Sequence, residues 1–176
     1  MPNYRRAWHP GGTYFFTVNL LQRCGNTLLV DHIDLLRATV DHVRQRHPFH
    51  IHGWVVLPDD LHCVIELPDG DADFVNRWRL IKMVFSKGLP KTERRSTVRI
   101  KRGERGIWQR RYWEHLIRDE ADFRVHMDYV HFNPVKHGLV KRVVDWPHST
   151  FHRLVKQGVY AADWGGGGDA QFDYDD

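Results

Sequence analysis

The stretch Trp54-Val-Val-Leu-Pro-Asp-Asp-Leu-His-Cys-Val-Ile-Glu-Leu (54–67) decides how the chain is read. Apolar residues recur at every second place on both sides of Pro58-Asp59: Ile51, Val55 and Leu57 before it, Leu61, Cys63, Ile65 and Leu67 after it. A period of two is that of a β-strand, and Pro-Asp is turn chemistry. Residues 50–57 and 61–67 therefore read as an antiparallel pair. The second strand turns Leu61, Cys63 and Ile65 to one face and Asp60, His62, Val64 and Glu66 to the other.

Working outward, Tyr14-Phe-Phe-Thr-Val-Asn-Leu20 is a β-branched and aromatic run entered through Gly11-Gly12, and predicts another strand. Between it and the hairpin, Asp31 and Asp34 resemble a helix start, and Leu35, Leu36, Val40 and Val43 carry helical spacing as far as Pro48. After the hairpin, Phe74, Trp78, Ile81 and Phe85 mark a helix over about 72–88. Residues 87–106 hold 8 Lys or Arg against 2 Glu with little apolar periodicity, which predicts a mobile basic loop. A fourth strand fits 107–117, and a last helix begins at Asp119 and is expected to be limited by Pro134. The order β-α-β-β-α-β-α predicts a ferredoxin-like α+β sandwich, an antiparallel sheet with helices on one face plus a C-terminal helical extension.

The 176 residues suit one domain over 1–162, with a Gly-rich acidic tail, 163–176, expected to be disordered. Two unspaced cysteines exclude a disulfide framework and a Cys-based zinc site, and no apolar run is long enough for a bilayer span. The expectation is a soluble, cytoplasmic protein without a membrane partner. The net charge of +4 conceals an asymmetry, because the tail carries five Asp and no Lys or Arg, leaving +9 on residues 1–162. Such a surplus fits a phosphate-binding surface, and equally a merely soluble basic domain.

Two pairs could carry chemistry. Asp60 and His62 share one strand face and could ligate a hard divalent ion, although Asp-x-His is also a common solvent-facing pair. Tyr129 and Asn133, four apart, share a helical face with His126 one turn earlier. They read either as a nucleophile beside a metal-binding carbonyl, or as a core tyrosine and a capping Asn. His50 and His52 also alternate on one strand, but sit at the end far from the Pro58 turn and read as surface histidines.

Read together, residues 54–65, Gly106-Ile-Trp-Gln-Arg-Arg-Tyr-Trp-Glu-His115 and Tyr129-Val-His-Phe-Asn-Pro-Val-Lys-His-Gly-Leu-Val140 resemble the REP-associated tyrosine transposases. These are single-tyrosine relatives of the HUH transposases, named for a His-hydrophobic-His motif. The likeness runs over about residues 4–164, including Asp145-Trp-Pro-His-Ser149. It implies cleavage of single-stranded DNA beside REP hairpins, with Mg²⁺ or Mn²⁺ at the scissile phosphate. It also implies Tyr129 as the nucleophile forming a 5′-phosphotyrosine, and His62 and Asn133 as metal ligands. The chain departs from the pattern at Asp60, which stands where the first HUH histidine is expected and would serve as the third ligand.

Candidate DNA contacts are Arg5 and Arg6, the 87–105 loop, and Arg110 with Arg111, interleaved with Tyr4, Trp8, Trp108, Tyr112 and Trp113. Three functions remain open from the sequence: a metal-dependent DNA strand transferase; a structured single-stranded DNA-binding module whose nicking is reduced or lost through Asp60; and a metal-dependent RNA-processing nuclease. Monomer and homodimer are both compatible with the motifs.

Overall fold

The computed structural model describes residues 6–166, and places the elements in the order β1 (Thr13–Asn19), α1 (Leu28–Asp31), α2 (Ile33–Arg46), β2 (His50–Val56), β3 (Asp60–Glu66), α3 (Phe74–Gly88), α4 (Thr97–Lys101), β4 (Trp113–Leu116), α5 (Glu120–Lys136) and α6 (Phe151–Lys156). The four strands form one antiparallel sheet in the order β2-β3-β1-β4. The 54–67 hairpin is its centre of gravity, with β3 paired on both sides and buried along almost its whole length.

Strand alternation sorts the side chains into two cores. Tyr14, Phe16, Val18, Leu61, Cys63 and Ile65 meet Leu36, Val40 and Val43 of α2 and Phe74, Trp78, Ile81 and Phe85 of α3. The opposite face carries Phe15, Val55 and Val64 against Met127, Tyr129 and Val130 of α5 and Leu154 of α6. The C-terminal helical extension thus covers the sheet face that α2 and α3 leave open. Gly53 permits that approach: a Cβ there would lie 2.8 Å from Met127 Sδ.

Four local expectations are corrected. Asp31 ends the short helix α1, and α2 starts at Ile33, so Asp31 is no N-cap. The basic 87–106 segment contains α4 and is tied down by Arg105, which bonds Glu93 and the carbonyls of Ser86, Leu89 and Pro90. The strand expected over 107–117 is in the sheet only at Trp113–Leu116, because the chain steps away after the Leu20–Trp108 bridge and turns the Tyr112 ring onto Phe16 and Trp78. Pro134 lies inside α5, which continues to Lys136. A proline that near the end costs only the bond to the Val130 carbonyl, and the final turn is closed by His137 N to Asn133 O and Leu139 N to Pro134 O.

His131 fastens α5 to its surroundings. Its Nδ1 lies 2.7 Å from Met127 O and its Nε2 2.8 Å from Thr150 Oγ1, which in turn accepts from Trp54 N. Burial holds its pKa down at about 4. The unfolded chain therefore takes up a proton below about pH 6.5 that the folded chain refuses until about pH 4. This contribution is complete above pH 6.5 and is lost as pH falls to 4, on the order of 3 kcal/mol in all. Urea midpoints measured from pH 7 to 4 should fall, and His131→Asn should flatten that fall.

At the other end of the chain, Trp164 still engages the body through Tyr160 and Phe151. The remainder of the acidic tail, 167–176, and Arg5 lie outside the described residues.

Candidate active site

The face of the sheet under α5 collects polar groups at one end. Residues 15, 17 and 19 of β1 and 60, 62 and 64 of β3 all point there, by the Thr17–His62 and Asn19–Asp60 register. Asp60 and His62 are buried, with His62 Nε2 3.3 Å from Asp60 Oδ2. His62 Nδ1 lies 2.8 Å from Thr17 Oγ1. A hydroxyl there fixes the ring, and with the proton on Nδ1 the Nε2 lone pair faces into the site.

From above, α5 brings Tyr129 and Asn133. The Tyr129 ring stands edge-on to His62 at 5.3 Å between centroids and to Phe15 at 5.6 Å, with Lys136 Nζ 4.9 Å over it. Asn133 is fully buried one turn further along. The two sequence pairs, each ambiguous alone, thus share one interior. Neither the solvent-facing reading of Asp60-x-His62 nor the capping reading of Asn133 fits this burial.

The decisive feature is what these side chains leave unused. Asp60 Oδ1, His62 Nε2, both amide atoms of Asn133, and Asn19 Oδ1 are buried without a hydrogen-bond partner. Each such group costs about 1–3 kcal/mol if nothing meets it. A carboxylate oxygen, an amide oxygen and one imidazole form a donor set that suits a hard divalent ion, so the residues fit Mg²⁺ or Mn²⁺.

Sequence reasoning missed three participants. Thr17 and Asn19 announced themselves as polar residues at alternate places in an otherwise apolar strand. Arg23 had no such signal: its Nε lies 2.8 Å from Asp59 Oδ2 and its Nη2 3.2 Å from Asp60 Oδ2, closing the site from the β1–α1 connection.

Of the expected DNA contacts, Arg110 and Arg111 are exposed near the Asn19 end of the sheet, where Gln109 N bonds Asn19 O. Arg110 is paired with Glu104 at 3.0 Å, and Arg6 donates to Tyr112 Oη at 2.8 Å and lies 3.9 Å from Glu114. Trp113 is 53% exposed and registers opposite Thr17, so its indole belongs to the site's face. His52 is bonded to Glu66 at 2.7 Å, and His50 is exposed, apart from this cluster.

No protein-family model matches the chain. The chain is 48% identical over 166 residues to the REP-associated tyrosine transposase of Escherichia coli (strain K12), covering 94% of this chain and 92% of that one. It is 45% identical to a putative REP-associated tyrosine transposase of Haemophilus influenzae (strain ATCC 51907 / DSM 11121 / KW20 / Rd), over 96% of each. Among solved structures, a REP-associated tyrosine transposase bound to a REP hairpin matches with a TM-score of 0.81 and 46% identity, over 97% of this chain and 93% of that one. Fold and likeness together put the chain among the transposases. With close to half of its residues identical along nearly the full length of both relatives, it belongs to the REP-associated tyrosine transposase family.

Proposed function

We propose that the chain is a metal-dependent single-stranded DNA endonuclease and strand transferase that acts at REP-type hairpins through a 5′-phosphotyrosine on Tyr129. The observation that carries this reading is the set of unused, buried donor atoms on Asp60, His62 and Asn133 in the interior that also holds Tyr129. Those three side chains would hold Mg²⁺ or Mn²⁺, which when bound neutralises the non-bridging oxygens of a phosphodiester. The chain's own part is placement. Thr17 fixes the His62 ring, and one turn of α5 sets Tyr129 and Asn133 at a constant separation. Attack forms the bond from phosphorus to Tyr129 Oη and breaks the bond to O3′. The phenol gives up its proton, and the departing 3′ oxygen gains one. The new ester conserves the bond energy, so the reverse reaction rejoins DNA without ATP.

A REP-hairpin partner is supported by the bound relative. Arg110 and Arg111, with Arg5 and Arg6 at the N-terminal end, supply phosphate contacts, and Trp113 offers an unpaired base a stacking surface. Affinity should therefore fall steeply with salt. The setting is the cytoplasm, where chromosomal DNA is accessible.

Incubation of a labelled single-stranded REP hairpin with the protein and Mg²⁺ or Mn²⁺, followed by a denaturing gel, tests the proposal. A covalent protein–DNA band is expected. Preferential RNA cutting without an adduct would instead mean an RNA-processing nuclease.

One observation favours a second reading, a DNA-binding module with weakened cleavage: Arg23 already occupies one oxygen of Asp60. On that reading a native gel shift appears without the covalent band. Arg23→Gln should then raise Mn²⁺ affinity severalfold in calorimetry; no change would remove Arg23 as a competitor for the site.

A further inference from the structure

We infer that His115, Asp122 and His126 form a second metal site, separate from the one under Tyr129, that takes a borderline ion such as Zn²⁺ or Co²⁺ and clamps the start of α5 to β4. His115 reaches the α5 face because it registers opposite Phe15, and Asp122 and His126 are four apart on the first turns of α5. One ligand atom from each lies within 4.8 Å of the other two. His115 Nε2 is 2.9 Å from Asp122 Oδ2, and His126 Nδ1 is 3.1 Å from Asp122 Oδ1. Ligand atoms around a tetrahedral zinc ion sit roughly 3.3 Å apart, so little contraction or expansion is needed.

Two imidazoles and one carboxylate favour softer ions than the oxygen-rich donor set of Asp60 and Asn133. Burial lowers the His126 pKa. For Asp122, burial pushes upward, but hydrogen bonds from His115 and the Arg118 amide together with the nearby positive charges prevail and hold the carboxyl low. Asp122 is thus a carboxylate and His126 a neutral imidazole at neutral pH.

Loading has identifiable costs. The two imidazoles are stacked at 4.5 Å and 15°, so one must turn, and His115, on an edge strand and a quarter exposed, has the room. His126 Nδ1, which donates to Asp122 O at 2.8 Å, must give up that bond and shift its proton to the other ring nitrogen to take the ion. The Arg118 guanidinium, 3.5 Å from Asp122 and three-quarters exposed, can withdraw into water. The Phe15 ring stands between this cluster and the other site, 4.9 Å from His126 and 6.1 Å from His62, which keeps the two ions apart.

The test is a Co²⁺ titration of metal-free protein, read by visible absorption and calorimetry, with a thermal melt at each end. Wild type should bind two equivalents, and His115→Ala and His62→Ala one each. Saturation should raise the melting temperature of each single-site variant by a few degrees through its one remaining ion, and that of wild type by roughly the sum of the two increments. Asp122→Asn, which keeps the side-chain shape, should repeat the His115→Ala result. If His115→Ala and Asp122→Asn both retain every equivalent that wild type binds, the second site does not exist. A His115-dependent equivalent stands even if His62→Ala changes nothing, so this inference and the proposed nuclease site fail separately.

Discussion

Tyr129→Phe abolishes the covalent protein–DNA adduct while native-gel affinity for the hairpin stays within about twofold of wild type. The phenol oxygen is the only atom removed, and phenylalanine fills the same space against Phe15 and His62. Loss of one hydroxyl at a buried position costs on the order of 1 kcal/mol, or a few degrees of melting temperature in a protein of this size. Folding and binding thus survive, and the chemistry does not. Detection of an adduct in this variant would move the nucleophile elsewhere.

Asp60→His raises divalent-ion affinity about tenfold for Mn²⁺ or Co²⁺, worth about 1.4 kcal/mol, and raises hairpin cleavage with it. Three effects point the same way. The substitution supplies a second imidazole beside His62, removes the carboxylate that draws in Arg23, and withdraws a negative charge that would lower the Lewis acidity felt by phosphate. Arg23 is not left unpaired by the change, since it is a third exposed and keeps its 2.8 Å bond to Asp59. His62→Ala is the counterpart: ion binding and cutting at this site should both disappear. Calorimetry and the denaturing gel decide both, and unchanged affinity in Asp60→His would make residue 60 neutral.

Much of this arrangement was legible in the order of the residues, for a physical reason. Period-two alternation around Pro58-Asp59 sets the hairpin and assigns Asp60 and His62 to one face, and Tyr129 and Asn133 share a helical face by spacing alone. Alternation cannot say what covers a face, so the burial of Asp60 and His62 under α5 had to come from the fold. Arg23 was invisible because a loop side chain 36 residues from Asp59 is brought near only by tertiary structure. Pro134 misled, since the rule that it breaks helices weakens in a last turn, where only one ladder bond is forfeited. His115 was passed over as part of a strand, although its register against Phe15 joins it to Asp122 and His126.

Because β3 is buried on both faces, its polar and its hydrocarbon side chains are held in strict phase. A one-residue slip of β3 against β1 and β2 would send Asp60 and His62 in among Trp78 and Phe85, and Leu61 and Cys63 out toward Tyr129. An insertion at Pro58-Asp59 itself is absorbed by the turn, because β1 holds β3 in register from its other edge. The hairpin therefore has a reading frame of its own, set by the ladder and not by the turn: lengthening the turn should leave a folded protein, whereas one residue inserted between Leu61 and Val64 should yield insoluble protein.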